Sequence, residues 1–328
     1  MPTWGEILGE LGASGQGRGG NPDFDGIRRK YLSQLYQLTQ RNTIVYATRW
    51  MSGAPIADTA ITLEDMQGMM EVCRGLVGPD LDIILHSPGG SPEATASIVR
   101  YLRRKFTNIR VFVPLAAMSA ATMWALASDC IVMGKHSQLG PIDPQMITAA
   151  GQYPARAIIR QFERGRDECS ADPSKLAAWL PTFQFCGPSL LVQCEQAEQL
   201  AKRLVAEWLK KYMLSGLSEV AAKAKAEEIA EYFSNIDEHE SHGLGIDRDQ
   251  ARAQGVKVED LEVDQALQDA VLSAYHATMH TLGGVALKVI ENHMGRAFVK
   301  VSQIQIVAPM QGNLLGPGGL VPPMVPQI

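Results

Sequence analysis

Ser119 carries a hydroxyl in the middle of an alanine-rich segment, PLAAMSAATMWALASD (114–129). The residues before it are typical of a buried strand and those after it of a short helix, which places Ser119 at a strand-to-helix corner. A serine at such a corner either caps the helix or acts as the nucleophile of an acyl transfer. A cap is the commoner role of a single serine at such a corner. If Ser119 is a nucleophile, the small neighbouring side chains leave space for a substrate backbone.

A second corner lies at HSPGG (86–90), where consecutive glycines let the backbone turn sharply and expose N–H groups beside a helix. If the two preceding strands are neighbours, the amides of Gly90 and Ala120 would converge beside the Ser119 hydroxyl. Gly89 belongs to the same turn and is a further candidate donor. Acyl transfer needs such a nucleophile and two donors for the oxyanion that forms on the attacked carbonyl.

Alternating strands and helices position these two corners. The predicted strands are 43–50, 81–87, 109–115 and 129–134, and the predicted helices are 61–77, 91–106 and 120–128, with Thr62 and Ser91 as N-caps of the first two. This alternation of strands and helices indicates an α/β fold with a mostly parallel sheet and right-handed crossovers. Ligands of such sheets bind at the carboxyl ends of the strands, where both corners lie.

The rest of the chain is predicted to be mostly helical. We expect a flexible N-terminus (1–25), one domain (26–305) with a helical extension (154–235) and a C-terminal helix (260–294), and a Gly/Pro-rich tail (306–328). The apolar stretch 111–134 is long enough to cross a membrane, but its Pro114 and β-branched ends favour strand, helix and strand. No membrane span is therefore expected.

Composition excludes several classes of protein. The net charge of −5, without a basic block, argues against a nucleic-acid partner. The five scattered cysteines form no CxxC pair, which argues against a disulfide framework or a zinc ribbon and favours a reducing, cytoplasmic compartment. No GxGxxG motif follows a strand, so neither a nicotinamide site nor any other cofactor is expected.

Five segments carry a resemblance to a known family. They are ILHSPGGSPEATASIVRYLR (84–103), VFVPLAAMSAATMWALASDCIVMG (111–134), HSQLGPIDPQ (136–145), PSLLVQCEQAEQLAKRLVAEWLKKYM (188–213) and SHGLGIDRDQARAQGV (241–256). Together they resemble the Clp-protease and signal-peptide-peptidase superfamily and, more narrowly, the serine dehydrogenase proteinases. The resemblance implies a crotonase-like spiral of ββα units, a nucleophile at Ser119 and oxyanion donors near Gly90 and Ala120. It also implies a peptide or protein substrate and a ring-like homo-oligomer.

A serine nucleophile needs a general base, and here the chain departs from the family pattern. Clp proteases have a histidine after the strand that follows the nucleophile's helix, where this chain has Ile142 or Asp143. The related signal peptide peptidases use a lysine on the next helix, where this chain has Arg160, Arg164 and Arg166. Arginine stays protonated and cannot serve as a base.

Three residues remain as candidate bases. Lys175 is the first lysine after Lys135 and would need desolvation to lower its pKa. His136 lies a few residues before the position of the missing Clp histidine. The segment 251–256 resembles the one that follows the acid of the Clp triad, and counting back from it leads to His242 or Gly243. A base at His242 would give a rearranged dyad with Ser119.

His239 and His242 also have the HxxH spacing of a metal site, with Asp237 nearby. The surrounding segment NIDEHESHGLG is polar and rich in turns and has no third firm ligand, so a solvated loop is favoured over a metal centre.

The sequence therefore predicts a serine peptidase with a Ser119 acyl-enzyme. Two alternatives stay open. The first is an inactive Clp-like scaffold or peptide-binding protein that has lost its base. The second is a crotonase-type enzyme acting on coenzyme A thioesters, a reaction that needs two converging amides but no nucleophilic serine.

Overall fold

The computed structural model describes residues 3–16, 19–148, 151–235, 239 and 241–302. Its α-helices are α1 (Trp4–Ser14), α2 (Phe24–Thr39), α3 (Ile56–Thr59), α4 (Asp65–Cys73), α5 (Pro92–Lys105), α6 (Ala120–Leu126), α7 (Ala155–Ala171), α8 (Leu176–Cys186), α9 (Leu190–Lys211), α10 (Glu219–Ser234), α11 (Arg248–Ala253) and α12 (Gln265–Leu282). Its strands are β1 (Asn42–Thr48), β2 (Asp80–His86), β3 (Asn108–Val113), β4 (Ala116–Ala117), β5 (Cys130–Met133), β6 (Gln138–Leu139), β7 (Gln145–Thr148), β8 (Gly151–Pro154), β9 (Ile246–Asp247), β10 (Val258–Asp260), β11 (Ala286–Asn292) and β12 (Ala297–Val301).

The main sheet has seven strands in the order β10-β5-β3-β2-β1-β11-β12. The strands from β10 to β1 are parallel, whereas β11 and β12 pair antiparallel at one end. Every residue of β1 is buried, as expected for a strand covered on both faces. The predicted mixed α/β fold with a mostly parallel sheet is confirmed.

A second, three-stranded sheet (β4-β6-β9) lies at the carboxyl ends of the parallel strands. Strand β3 is followed by the short β4 and then by α6, and β5 is followed by the short β6. Ser87, directly after β2, forms a parallel bridge with Ala117 of β4. Strands β2, β3 and β5 thus each lead into a short extended segment, as in the ββα arrangement that the resemblance implied.

Helices cover the main sheet on both faces. One buried cluster joins the sheet to α4, α5, α6, α9 and α10, and includes Ile83, Trp124, Val205 and Phe233. The other joins it to α1, α2 and α12, and includes Leu32, Ile84, Phe112 and Val271. The extension predicted at 154–235 consists of α7 to α10, and α7, α8 and the start of α9 share a small cluster of their own.

Two expectations for the ends of the chain were wrong. Residues 1–25 contain α1, which a capping box between Thr3 and Glu6 stabilises and which buries Ile7 and Leu11. The C-terminal helix predicted over 260–294 ends at Leu282, and the chain continues as β11. Strand β11 is fully buried and pairs with β1, so its interstrand hydrogen bonds and apolar contacts override the helical pattern.

One of the two predicted N-caps is present. Ser91 caps α5 through the amide of Ala94, as predicted. Thr62 does not cap α4, because the N-cap position of that helix is Glu64. Among the residues described, no helix is both long and apolar enough to cross a lipid bilayer. The tail predicted at 306–328 lies outside the described residues.

Candidate active site

Ser119 occupies the N-cap position of α6, but its side chain makes no capping hydrogen bond. Its backbone has φ 51° and ψ −121°, and apart from Gln40 it is the one non-glycine residue with positive φ in the described part of the chain. Such a conformation is strained for a residue with a Cβ. Strained residues of this kind cluster at active sites and ligand-binding sites. A sharp strand-to-helix turn of this kind presents a serine hydroxyl away from the helix. Ser119 is half-buried.

The strain at Ser119 leads to a prediction about stability. Replacing Ser119 by Gly is expected to give a protein about 1 kcal/mol more stable than Ser119→Ala, since glycine tolerates positive φ and alanine does not. The gain is the relief of about 1–3 kcal/mol of strain, reduced by the larger backbone entropy that glycine loses on folding. Urea unfolding of the two variants measures the difference. Equal stability would show that the turn is unstrained.

The glycine corner and the serine corner meet directly. Gly89 has φ 95°, and a Cβ there would lie 2.5 Å from the Met118 carbonyl oxygen and 2.8 Å from the Ala120 nitrogen. Gly89 is thus in van der Waals contact with the Ser119 turn, and a side chain at this position would force the two corners apart. The close approach requires glycine for its missing side chain as well as for its φ.

The three predicted oxyanion donors differ in whether their amides already donate a hydrogen bond within the protein. Gly89 N–H donates to Ser87 Oγ (3.2 Å) and is already engaged. Within the part of the chain that the structure describes, the amides of Gly90 and Ala120 donate to no protein acceptor. Gly90 is also exposed to solvent. Of the three predicted donors, Gly90 and Ala120 therefore have amides without a protein acceptor among the described residues, whereas the amide of Gly89 has one.

His242 forms a hydrogen bond that sequence reasoning missed. Its Nδ1 lies 2.6 Å from Oδ1 of Asp143, and the other carboxylate oxygen of Asp143 accepts from Gln145 Nε2 (2.7 Å). Asp143 is buried, whereas the His242 side chain is 27% exposed. A carboxylate on Nδ1 fixes the ring and leaves Nε2 as its basic nitrogen.

The small sheet brings these residues to one edge. Ser119 follows β4 by two residues, Asp143 follows β6 by four, and His242 precedes β9 by four. Strands β4 and β6 are parallel and β9 is antiparallel to β6, so all three residues leave the sheet at the same end. The segment after β6 also packs on the serine turn, because Gly140 N–H donates to the Ala117 carbonyl (3.0 Å).

The other two candidate bases have different surroundings. Lys175 lies in a short 3₁₀ turn with its side chain 48% exposed, and its Nζ is 3.6 Å from Glu168 Oε2. It therefore lacks the desolvation that a lysine base needs. His136 is exposed in the turn after β5, where its ring lies over Gly134. Among the described residues the His136 ring has no hydrogen-bond partner that would orient it, and Lys175 is an exposed cation paired with Glu168.

Two further histidines, His239 and His86, are buried and contact other parts of the fold. His239 is buried, with Nε2 2.8 Å from the Tyr232 carbonyl oxygen, so the solvated loop predicted for it was wrong. His86 packs between the rings of Trp50 and Tyr275, and burial lowers its pKa to about 4. Asp237 lies outside the described residues, within which no metal-binding group of three or more His, Cys, Asp or Glu side chains occurs.

Part of the chain is similar to known proteins. Residues 29–178 match the family model described as ClpP-like SDH-type serine proteinase. Two uncharacterized proteins of Methanocaldococcus jannaschii are similar: MJ0137 is 39% identical over 110 residues, and MJ1495 is 33% identical over 165 residues. These matches cover 33% and 47% of this chain, and 37% and 55% of the two relatives. No solved structure matches the chain.

Proposed function

We propose that the protein is a serine peptidase with a Ser119–His242–Asp143 triad, a proposal supported by the similarity of residues 29–178 to the ClpP-like SDH-type serine proteinases. Ser119 is the nucleophile, His242 the general base, and Asp143 the carboxylate that orients the imidazole. The amides of Gly90 and Ala120 bind the oxyanion. The substrate is a peptide or protein, and we expect the active form to be a ring-like homo-oligomer.

The proposed reaction runs through an acyl-enzyme. Ser119 Oγ attacks the peptide carbonyl as its proton passes to His242 Nε2, and the carbonyl oxygen becomes the oxyanion held by the two amides. The tetrahedral intermediate then expels the amine, which takes the proton from His242. A water molecule attacks the acyl-enzyme with the same base, releasing the carboxylic acid and restoring the Ser119 hydroxyl.

The observation that carries this proposal is that Asp143 holds His242 Nδ1 at the same end of the β4-β6-β9 sheet at which the chain leaves β4 toward Ser119. In the described part of the chain Ser119 Oγ forms no hydrogen bond, and His242 Nε2 is also unengaged. Catalytic hydrogen bonds of this kind often tighten only when substrate binds. The exposure of Lys175 and the carboxylate partner of His242 favour His242 as the base.

The site favours a peptidase over the two alternatives, an inactive scaffold and an enzyme acting on coenzyme A thioesters. A scaffold that had lost its base would not need a histidine such as His242, whose ring is oriented by the buried carboxylate of Asp143. An enzyme acting on coenzyme A thioesters would need the two amides but not a strained serine between them. Both alternatives predict a Ser119 hydroxyl without unusual reactivity.

Reactivity with a fluorophosphonate probe tests the proposal. The native protein is expected to gain the mass of one probe molecule per chain, and proteolysis should place the adduct on the peptide that contains Ser119. Protein unfolded in urea provides the control and is expected to remain unlabelled, because activation depends on the folded site. An unmodified native sample, or an adduct elsewhere in the chain, would contradict the assignment.

A further inference from the structure

A buried ion pair lies beneath the sheet on the side of α4. Lys288 of β11 places its Nζ 2.6 Å and 2.8 Å from the two carboxylate oxygens of Asp65, and Tyr46 OH donates to the same carboxylate (2.8 Å). All three side chains are essentially inaccessible to solvent. Burying a charge pair costs desolvation energy, and well-packed apolar side chains would stabilise a fold equally well. The pair therefore calls for a role other than stability.

The ion pair holds the peptide groups on either side of Ile61. Lys288 Nζ donates to the Ala60 carbonyl (2.8 Å), and the amide of Thr62 donates to Asp65 Oδ2 (2.9 Å). The ammonium and the carboxylate thus each bind one end of the three-residue segment 60–62. Since charged groups make stronger hydrogen bonds than neutral ones, this segment is held firmly.

Ile61 in turn holds the glycine corner. Its N–H donates to the Gly89 carbonyl (2.7 Å), and its carbonyl accepts from Ser91 N–H (2.9 Å). Gly90 lies between these two bonds, and a Cβ there would be only 2.4 Å from the backbone nitrogen and oxygen of Ile61. The orientation of the Gly90 peptide therefore depends on the position of Ile61.

The same cluster contacts the helix that carries the second amide. The ring of Tyr46 packs edge-on against Trp124 of α6, with 5.3 Å between ring centroids. Helix α6 begins at Ala120, directly after the serine turn. One buried group of side chains therefore touches the supports of both oxyanion donors.

We infer that Lys288, Asp65 and Tyr46 are positioning residues that fix the direction of the Gly90 amide in the oxyanion hole, an inference that rests on the proposed function. They contact neither the nucleophile nor the base, and they act through the backbone of Ile61. Misplacing one donor reduces the stabilisation of the transition state and leaves substrate binding largely unchanged.

The test is the double variant Asp65→Leu/Lys288→Met, which removes both charges and so leaves no uncompensated buried ion. The rate of covalent modification by the fluorophosphonate (kinact) is expected to fall about 10- to 100-fold, below the 10²- to 10³-fold typical for complete loss of a donor. The concentration for half-maximal rate (KI) should stay within about twofold of the wild type, because oxyanion contacts contribute mainly to the transition state. In Asp65→Asn/Lys288→Met the side-chain oxygen can still accept from Thr62 N–H, so part of the rate should return.

A matched control comes from the opposite face of the same strand. Glu291 of β11 forms an equally buried pair with Arg28 of α2, away from the glycine corner. Arg28→Met/Glu291→Leu is expected to leave kinact unchanged. Equal losses in the two double variants would indicate a general effect on the fold and overturn the inference.

Hydrogen exchange separates this inference from the proposed function. Amides in 60–62 and 89–91 should exchange faster in Asp65→Leu/Lys288→Met than in the wild type or in the control variant. Unchanged exchange with an unchanged kinact would overturn the inference while the peptidase assignment stands. A wild type that is not labelled at all contradicts the assignment instead, and with it the catalytic role of the ion pair.

Discussion

A Ser119→Ala variant is expected to lose fluorophosphonate labelling completely and to lower peptide hydrolysis by a factor on the order of 10⁶. The reason is chemical: the proposed acyl-enzyme forms on Ser119 Oγ, and alanine offers no atom for this bond. The oxyanion amides and the His242–Asp143 pair remain in place, so any residual rate comes from binding and electrostatic stabilisation alone. Intact mass after labelling and the rate of cleavage of a peptide mixture measure the two effects.

Ser218 provides a matched control for this substitution. Its side chain caps α10 by accepting from the amide of Ala221, whereas Ser119 caps nothing. Ser218→Ala should therefore lose about 1 kcal/mol of stability and keep full labelling. Ser119→Ala should show the reverse, with little loss of stability and no labelling. Undiminished labelling of Ser119→Ala would assign the reactive group to another residue.

The second large effect concerns the base. His242→Ala is expected to slow the acylation of Ser119 by about 10³- to 10⁴-fold, because no group would take the proton from Oγ as the bond forms. Asp143→Asn is expected to cost a similar factor, because an amide next to Nδ1 favours the wrong tautomer of the imidazole. Stopped-flow measurement of labelling at a fixed pH compares the three proteins.

The double variant His242→Ala/Asp143→Asn sharpens this result. Since the two residues act as one unit, the double variant should be no slower than His242→Ala alone. Lys175→Ala and His136→Ala serve as controls and should react at the wild-type rate. A large loss in Lys175→Ala, with His242→Ala unaffected, would replace the proposed triad with a serine–lysine pair.

Short-range patterns in the sequence were enough to locate four strands of the main sheet (β1, β2, β3 and β5), the serine corner and the glycine corner. The apolar strands and the Pro-Gly-Gly turn are encoded within a few residues each, and parallel pairing of β2 with β3 brings their carboxyl ends together. Ser119, Gly90 and Ala120 could therefore be identified as candidates before any contact was known. Only the structure shows that Ser119 has a positive φ and that its side chain makes no capping hydrogen bond.

Long-range pairing decided what the sequence left open. Residues 286–292 carry a helical pattern locally but form β11, because β1 offers them an unfilled sheet edge. The sequence revealed that a histidine was missing where Clp proteases have one, yet Asp143, at or beside that position, was not recognised as part of the site. A carboxylate there, with a histidine near the position of the Clp acid, was the available signal.

The sequence by itself determined the α/β class and the two corners, because hydrophobic periodicity and turn residues act over a few positions. Only the tertiary structure paired Asp143 with His242, 99 residues apart, and placed the Lys288–Asp65 pair beneath the glycine corner. Contacts of this kind depend on how strands β4, β6, β9 and β11 are aligned, and alignment is set by the packing of the whole sheet.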